Sequence, residues 1–176
     1  MKSLVVYSTQ TGNTHKVAQA IFEILPSLKE IHPTSSAPAP DGYDLIAIGF
    51  WVDKGQPDKM SREYMQKIQG ATLGLFGTLG AQPESEHGRG SLRRAVDLVS
   101  GKNYIAGTFL CQGRIDPAVI KMMQKTAADH HPMTPERIAR IQAAESHPDK
   151  TDLKNAQSIF QDIVQTVQKK VPRCAE

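Results

Sequence analysis

Hydrophobic positions along this chain follow two rhythms. Short unbroken apolar runs come first: "SLVVYS" (Ser3–Ser8), "DLIAIGF" (Asp44–Phe50), the glycine-laced "ATLGLFGTLGA" (Ala71–Ala81) and "NYIAGTFLCQG" (Asn103–Gly113). Their length and β-branched content predict strands buried on both faces, the third of them running out into a loop. "LKEIH" (Leu28–His32) is shorter and more polar, as an edge strand is. Between the runs, apolar residues recur at helical spacing. Val17, Ala18, Ile21, Ile24 and Leu25 stripe residues 14–25, and Pro26 stops that helix. Met60, Tyr64, Met65 and Ile68 mark a helix over 58–68, and Leu92, Ala95, Val96 and Val99 one over 91–100. The clearest stripe is the last, over 151–169: Leu153, Ala156, Phe160, Ile163, Val164 and Val167.

Strand and helix in alternation predict an α/β fold, a doubly wound five-stranded parallel sheet with helices on both faces. The order expected is 2-1-3-4-5. Residues 1–176 read as one domain without internal repeats. Residues 114–150 exceed the minimal pattern and read as a helical insertion before the last helix. Its two short helices begin at Asp116-Pro117 and Thr134-Pro135, each a capping residue followed by proline.

Composition narrows the class. Apolar residues make up 39% and charged residues 22% of the 176, which suits a globular chain rather than a disordered one. No apolar run reaches the roughly 18–20 residues that span a bilayer, and the start lacks a secretory pattern. Cys111 and Cys174 form neither a disulfide framework nor a zinc spacing. These features predict a cytoplasmic protein that does not engage a membrane. A net charge of +3, with no basic run interleaved with aromatics, argues against nucleic acid. It is compatible with an acidic partner surface.

The chemistry concentrates in "STQTGNT" (Ser8–Thr14), where the first strand hands over to the first helix. In an open α/β sheet, ligands sit at the carboxyl ends of the strands, at the switch point. This loop offers hydroxyls from Ser8, Thr9, Thr11 and Thr14, the Asn13 amide and a flexible Gly12, ahead of backbone N–H groups at a helix start. Such a place holds a phosphate. It is no P-loop, because Lys16 lies beyond it, and no dinucleotide fingerprint, because it holds one glycine. A fixed phosphate monoester held by neutral donors fits.

The stretch "STQTGNTHKVAQAI" resembles the phosphate-binding signature of flavodoxins, T-x-T-G-x-T after the first strand. The resemblance implies bound flavin mononucleotide (FMN) and a bacterial source. It implies phosphate contacts from Thr9, Gln10, Thr11, Gly12, Asn13 and Thr14, with Ser8 at the start of the loop. Two further loops should reach the flavin. From "GFWVDKGQPD" (Gly49–Asp58) the resemblance implies contributions from Phe50, Trp51, Val52, Asp53, Lys54 and Gly55. Trp51 would stack on the ring, and Gly55 would offer a carbonyl to flavin N5. From "FGTLGAQPESEHG" (Phe76–Gly88) it implies backbone contacts at Gly77, Thr78, Leu79 and Gly80. This loop departs from the family: "GTLGAQP" carries neither the usual aromatic nor an acid, so Leu79 stands in for the outer ring partner. Reduced FMN is an anion at neutral pH. With fewer carboxylates near the ring, the final reduction should be less unfavourable than in acidic flavodoxins.

The implied function is electron relay between a reductase and a redox partner protein. An FMN-dependent reductase using NADH or NADPH, with the insertion as a substrate lid, is the alternative. A flavin-free binding module is a further one. "FWVDKGQPD" and "FLCQGRI" resemble a flavodoxin-like group found beside anaerobic reductases, including bilirubin reduction systems. No catalytic residue is assigned, and no metal. His130, His131 and His147 have no helix-spaced pair among them. Cys111 reads as a small buried hydrophobe rather than a group approaching the flavin, Arg114 could face a substrate or a partner's carboxylate, and the basic "HGRGSLRR" (His87–Arg94) could dock an acidic partner or be an ordinary helix surface.

Overall fold

The computed structural model describes residues 1–126 and 134–170. Five parallel strands form the sheet: β1 (Ser3–Tyr7), β2 (Lys29–Pro33), β3 (Leu45–Asp53), β5 (Thr72–Leu79) and β6 (Tyr104–Gln112), in the order β2-β1-β3-β5-β6. A two-residue strand, β4 (Gln56–Pro57), pairs antiparallel with the end of β3. Leaving β4 out gives the order 2-1-3-4-5. The helices are α1 (Asn13–Ile24), α2 (Lys59–Met65), α3 (Glu86–Ser100), α4 (Pro117–Thr126), α5 (Pro135–Ala144) and α6 (Lys150–Lys170).

Alternation along the strands builds two cores, one on each face. Val5, Leu45, Ala47 and Phe76 pack against Val17 and Ile21 of α1 and against Phe160 and Ile163 of α6. Leu4, Val6, Ile46 and Ile48 pack against Tyr64 and Met65 of α2 and Ala95 and Val99 of α3. Gly74 in β5 and Gly107 in β6 follow from how close α6 lies. The Phe160 ring stands edge-on to Phe76 with centroids 5.9 Å apart, and a Cβ on Gly74 would come within 2.6 Å of it.

Three boundaries differ from the sequence expectation. Strand β3 does not end at Phe50 but runs on into a β-hairpin, because Lys54 (φ 49°) and Gly55 (φ 81°) both take the left-handed conformation. Two consecutive positive φ values make the tight turn whose twist suits a two-residue hairpin. Helix α2 ends at Met65, although Ile68 beyond it remains buried. Helix α3 begins at Glu86 rather than at residue 91. The Ser85 hydroxyl accepts from the Gly88 amide at 3.1 Å and fixes that start. Gly88 lies directly on the Pro83 carbonyl, so the first turn has no room there for a side chain.

The insertion is anchored at its ends. Asp116 caps α4, accepting the Ala118 amide at 2.8 Å, and Thr134 caps α5, accepting from Arg137. No helix among the described residues is long and apolar enough to cross a membrane.

Candidate functional site

At the carboxyl ends of the parallel strands lies a cavity of about 500 Å³, the size range of small-molecule and cofactor sites. Its floor comes from the loop after β1. Helix α1 has no side-chain cap: its N-cap is Gly12 at φ 84°, a conformation that strains any other residue. The first N–H groups of the helix therefore open toward the loop. The loop braces itself. The Gly12 amide donates to Thr9 Oγ1 at 3.0 Å, and Asn13 Nδ2 donates to Thr11 Oγ1 at 2.9 Å. Both hydroxyls act as acceptors there, so each retains its own proton for a further acceptor. The buried hydroxyls of Thr14 and Thr78 lie 2.9 Å apart. One donates to the other, and one proton is left over.

A wall comes from the β3–β4 hairpin. Trp51, Val52, Asp53 and Lys54 line the cavity. Buried Asp58 holds that wall, its Oδ2 facing the Trp51 amide at 3.4 Å and its backbone N–H donating to the Trp51 carbonyl at 3.0 Å. The same carboxylate takes the Ser61 amide and hydroxyl and so starts α2. On the other side, Thr78, Leu79, Gly80 and Ala81 line the cavity, with His87 from α3.

Of the residues singled out from the sequence, Thr9, Gln10, Thr11, Asn13, Thr14, Trp51, Val52, Asp53, Lys54, Thr78, Leu79 and Gly80 line this one cavity. Ser8 and Gly12 do not. Ser8 is buried behind the loop, its amide donating to the Gly49 carbonyl, and Gly12 shapes the turn. Three further residues stand outside the lining. Phe50 is fully buried in the core under α2 and α3, because the apolar run that contains it alternates faces and Phe50 falls on the one those helices cover. Gly77 lies inside β5 with Phe50 and Leu110 as neighbours on either side, so its amide belongs to the sheet ladder. The Gly55 carbonyl accepts from Arg94 Nη1 at 2.8 Å, and Gly55 faces α3 rather than the cavity.

The insertion, expected as a lid in one of the alternative readings, forms a roof, and its lining residues on α4 and α5 are ones the sequence reading did not single out. Val119, Met122 and Met123 of α4 and Arg137, Arg140 and Ile141 of α5 line the same cavity. Each set has i, i+3, i+4 spacing, a signal present in the sequence. Arg114, Ile115 and Asp116 line it where the insertion leaves the sheet. The lining therefore carries Lys54, Arg114, Arg137 and Arg140 against Asp53 and Asp116. The phosphate loop holds only neutral donors, but cations stand around it.

Other candidates stand apart. Cys111 is buried in the core, where loss of hydration and the charges of Asp152 and Asp149 push its thiol pKa well up, so it stays protonated. His147, Asp149 and Asp152 bring their ligand atoms together, with His147 Nδ1 2.5 Å from Asp152 Oδ2. Both carboxylates cap α6: Asp149 Oδ1 accepts the amides of Thr151 and Asp152, and Asp152 Oδ2 accepts that of Asp149. The cluster closes a helix start. His130, His131 and Cys174 lie outside the described residues.

Comparison with known proteins agrees with this geometry. Residues 4–161 match the family model of the flavodoxin domain. The chain is 31% identical over 171 residues to a flavodoxin-like domain-containing protein, BilS, from Clostridioides difficile strain CD3, covering 93% of this chain and 97% of that one. It is 25% identical over 175 residues to the protein of the same name from Clostridium symbiosum strain WAL-14163, covering 87% and 90%. Among solved structures, a flavodoxin from the domain Archaea superposes with a TM-score of 0.57 over 96% of this chain and 99% of that one, at 16% identity.

Proposed function

The chain belongs to the flavodoxin domain family, and from that premise we propose that it binds FMN in the cavity above the sheet and relays electrons between a reductase and a redox partner protein. The observation that carries this is the start of α1. A helix N-terminus without a side-chain cap, with threonine hydroxyls beside it, opens into a cavity walled by Trp51 and of cofactor size. Thr9 and Thr11 would each donate a hydroxyl proton to the phosphate, and the helix dipole adds to them. Trp51 would present an apolar wall to the ring, and the backbone of Leu79 to Ala81 would run along its edge. When bound, FMN supplies the one- and two-electron chemistry. The protein binds it, orients it and sets its electrostatic surroundings.

Hydrogen bonds to a charged group contribute about 1.5–3 kcal/mol each. Loss of two of them should weaken binding by roughly two to four decades. Absorbance titration of the apoprotein is therefore expected to show tight FMN binding and riboflavin binding weaker by at least about a hundredfold. A colourless protein that FMN does not reconstitute would overturn the proposal and leave the flavin-free binding module. The excess of cations over carboxylates in the lining supports a final reduction potential less negative than that of acidic flavodoxins, and a redox titration of the same sample measures it.

The roof over the cavity favours a second reading, a reductase whose insertion covers a substrate. Sustained oxidation of NADH or NADPH by the isolated protein would select it. The exposed cations of the lining, Lys54 and Arg140 among them, support a partner with an acidic surface, since complementary charge steers association.

A further inference from the structure

Resting on that reading, we propose that α4 and α5 are the outer wall of the flavin site, taking the place of the aromatic residue that the loop after β5 lacks, and that the strap 112–116 latches this wall to the phosphate loop. Residues 81–85 of the loop after β5 contain no aromatic. What stands over its first glycine instead is Ile115: a Cβ on Gly80 would come within 2.6 Å of Ile115 Cγ1. From there the cavity is lined by Val119, Met122 and Met123 on α4 and Ile141 on α5. Thioether side chains adapt to a flat ring and make favourable sulfur–aromatic contacts.

The strap is joined to both neighbouring loops. The Gly113 amide donates to the Leu79 carbonyl at 2.8 Å, and Gln112 Nε2 to the Gly80 carbonyl at 3.4 Å. Asn13 Nδ2, in the phosphate loop, donates to the Arg114 carbonyl at 2.8 Å, and Gln10 Nε2 to Asp116 Oδ2 at 3.3 Å. Gly113 has no Cβ because one would lie 2.7 Å from Asn13 Nδ2. The far end of the insertion returns to the same point, where the Arg114 amide donates to the His147 carbonyl at 2.9 Å. Asn13 thus bonds to Thr11 on one side and to the root of the roof on the other. Asn13 is a positioning residue: whatever orders Thr11 also orders the strap, so cofactor binding and roof closure stabilise each other.

The roof carries its own reporters. Lys121, Lys125, Arg137 and Arg140 are trypsin sites on α4 and α5. Limited trypsinolysis of the apoprotein and of the FMN-saturated protein, mapped by mass spectrometry, is expected to show cleavage at these four sites slowed at least about tenfold by FMN. Asn13→Ala, compared at FMN concentrations that saturate it by absorbance, is expected to lose most of that protection, and Met123→Asp to weaken FMN binding by about tenfold or more. FMN binding with unchanged cleavage at the four sites, or a folded Met123→Asp protein that binds FMN as tightly as the parent, overturns the inference and leaves the proposed function standing. Protection that persists undiminished in Asn13→Ala overturns the latch. Failure of the parent to bind FMN overturns both.

Discussion

Helices α6 and α5 are both amphipathic, yet they serve the molecule in different ways. Helix α6 buries Ala156, Phe160, Ile163, Val164 and Val167 against the sheet and α1. Helix α5 buries only Ile141 and Ala144, and α4 buries none of its described side chains below the level of partial exposure. One helix is held by apolar area along its whole length. The other two bury less apolar area, and their roots carry a handful of polar contacts and glycine-permitted approaches. Segments with little buried apolar area open at low free energy, whereas core elements open only with global unfolding. The cavity lies between a stiff floor and a compliant roof.

That contrast can be broken most forcefully at Phe160. Replacing a fully buried phenylalanine with alanine costs about 3–5 kcal/mol, and Phe160→Ala should lose stability of this order in urea denaturation. Met122, 59% exposed on α4, should lose less than about 0.5 kcal/mol as Met122→Ala. Comparable losses at the two sites would mean that the roof belongs to the core.

A pair of glycines sharpens the comparison. An added Cβ at Gly74 meets the Phe160 ring, which is packed on all sides, and one at Gly80 meets Ile115 on the strap. Overpacking a rigid site costs about 1–3 kcal/mol. Gly74→Ala should fall within that range by equilibrium unfolding. Gly80→Ala should cost less globally but speed hydrogen exchange in α4 and α5. The reverse ranking would place the rigid contact at the strap.

The smallest effect concerns the junction of the two regions. Backbone bonds from Asp152 and Thr151 hold the Asp149 carboxyl below its ordinary value of 3.8. A depressed folded pKa stabilises the ionised form. The cap therefore contributes fully above the ordinary value and is lost as pH falls through the lower, folded one. Amide exchange in the first turn of α6, measured by NMR and corrected for its intrinsic pH dependence, should stay protected at pH 5 and lose protection below about pH 3.8, before the centre of the helix does.

How much of this was legible in the sequence follows the same division. The β-branched runs and the stripe of α6 predicted the sheet order, and "STQTGNT" marked the cavity floor, because those signals are local. Phe50 falls among the residues implied by the resemblance because an unbroken run, "GFWV", does not show which of its residues face the core under α2 and α3. The hairpin was read as a loop because its turn is Lys-Gly rather than Asn-Gly. The start of α3 was hidden by Gly88 and Gly90, which read as loop until Ser85 and Pro83 are seen around them. Asn13 reads as a phosphate contact because its other partner, Arg114, stands far along the chain and nothing local to either residue announces the pairing. The roof had helical spacing in both halves, but its target is the far side of a cavity, and periodicity does not name a target.

The two glycines at the strap bear on how such a roof is acquired or moved. Gly80 and Gly113 each admit a group from a distant segment, Ile115 over one and Asn13 against the other. A graft of α4 and α5 onto another sheet of this kind would fail to seat if it carried the helices alone. Both glycines and the asparagine would have to travel with them. The insertion is thus a module written in three places.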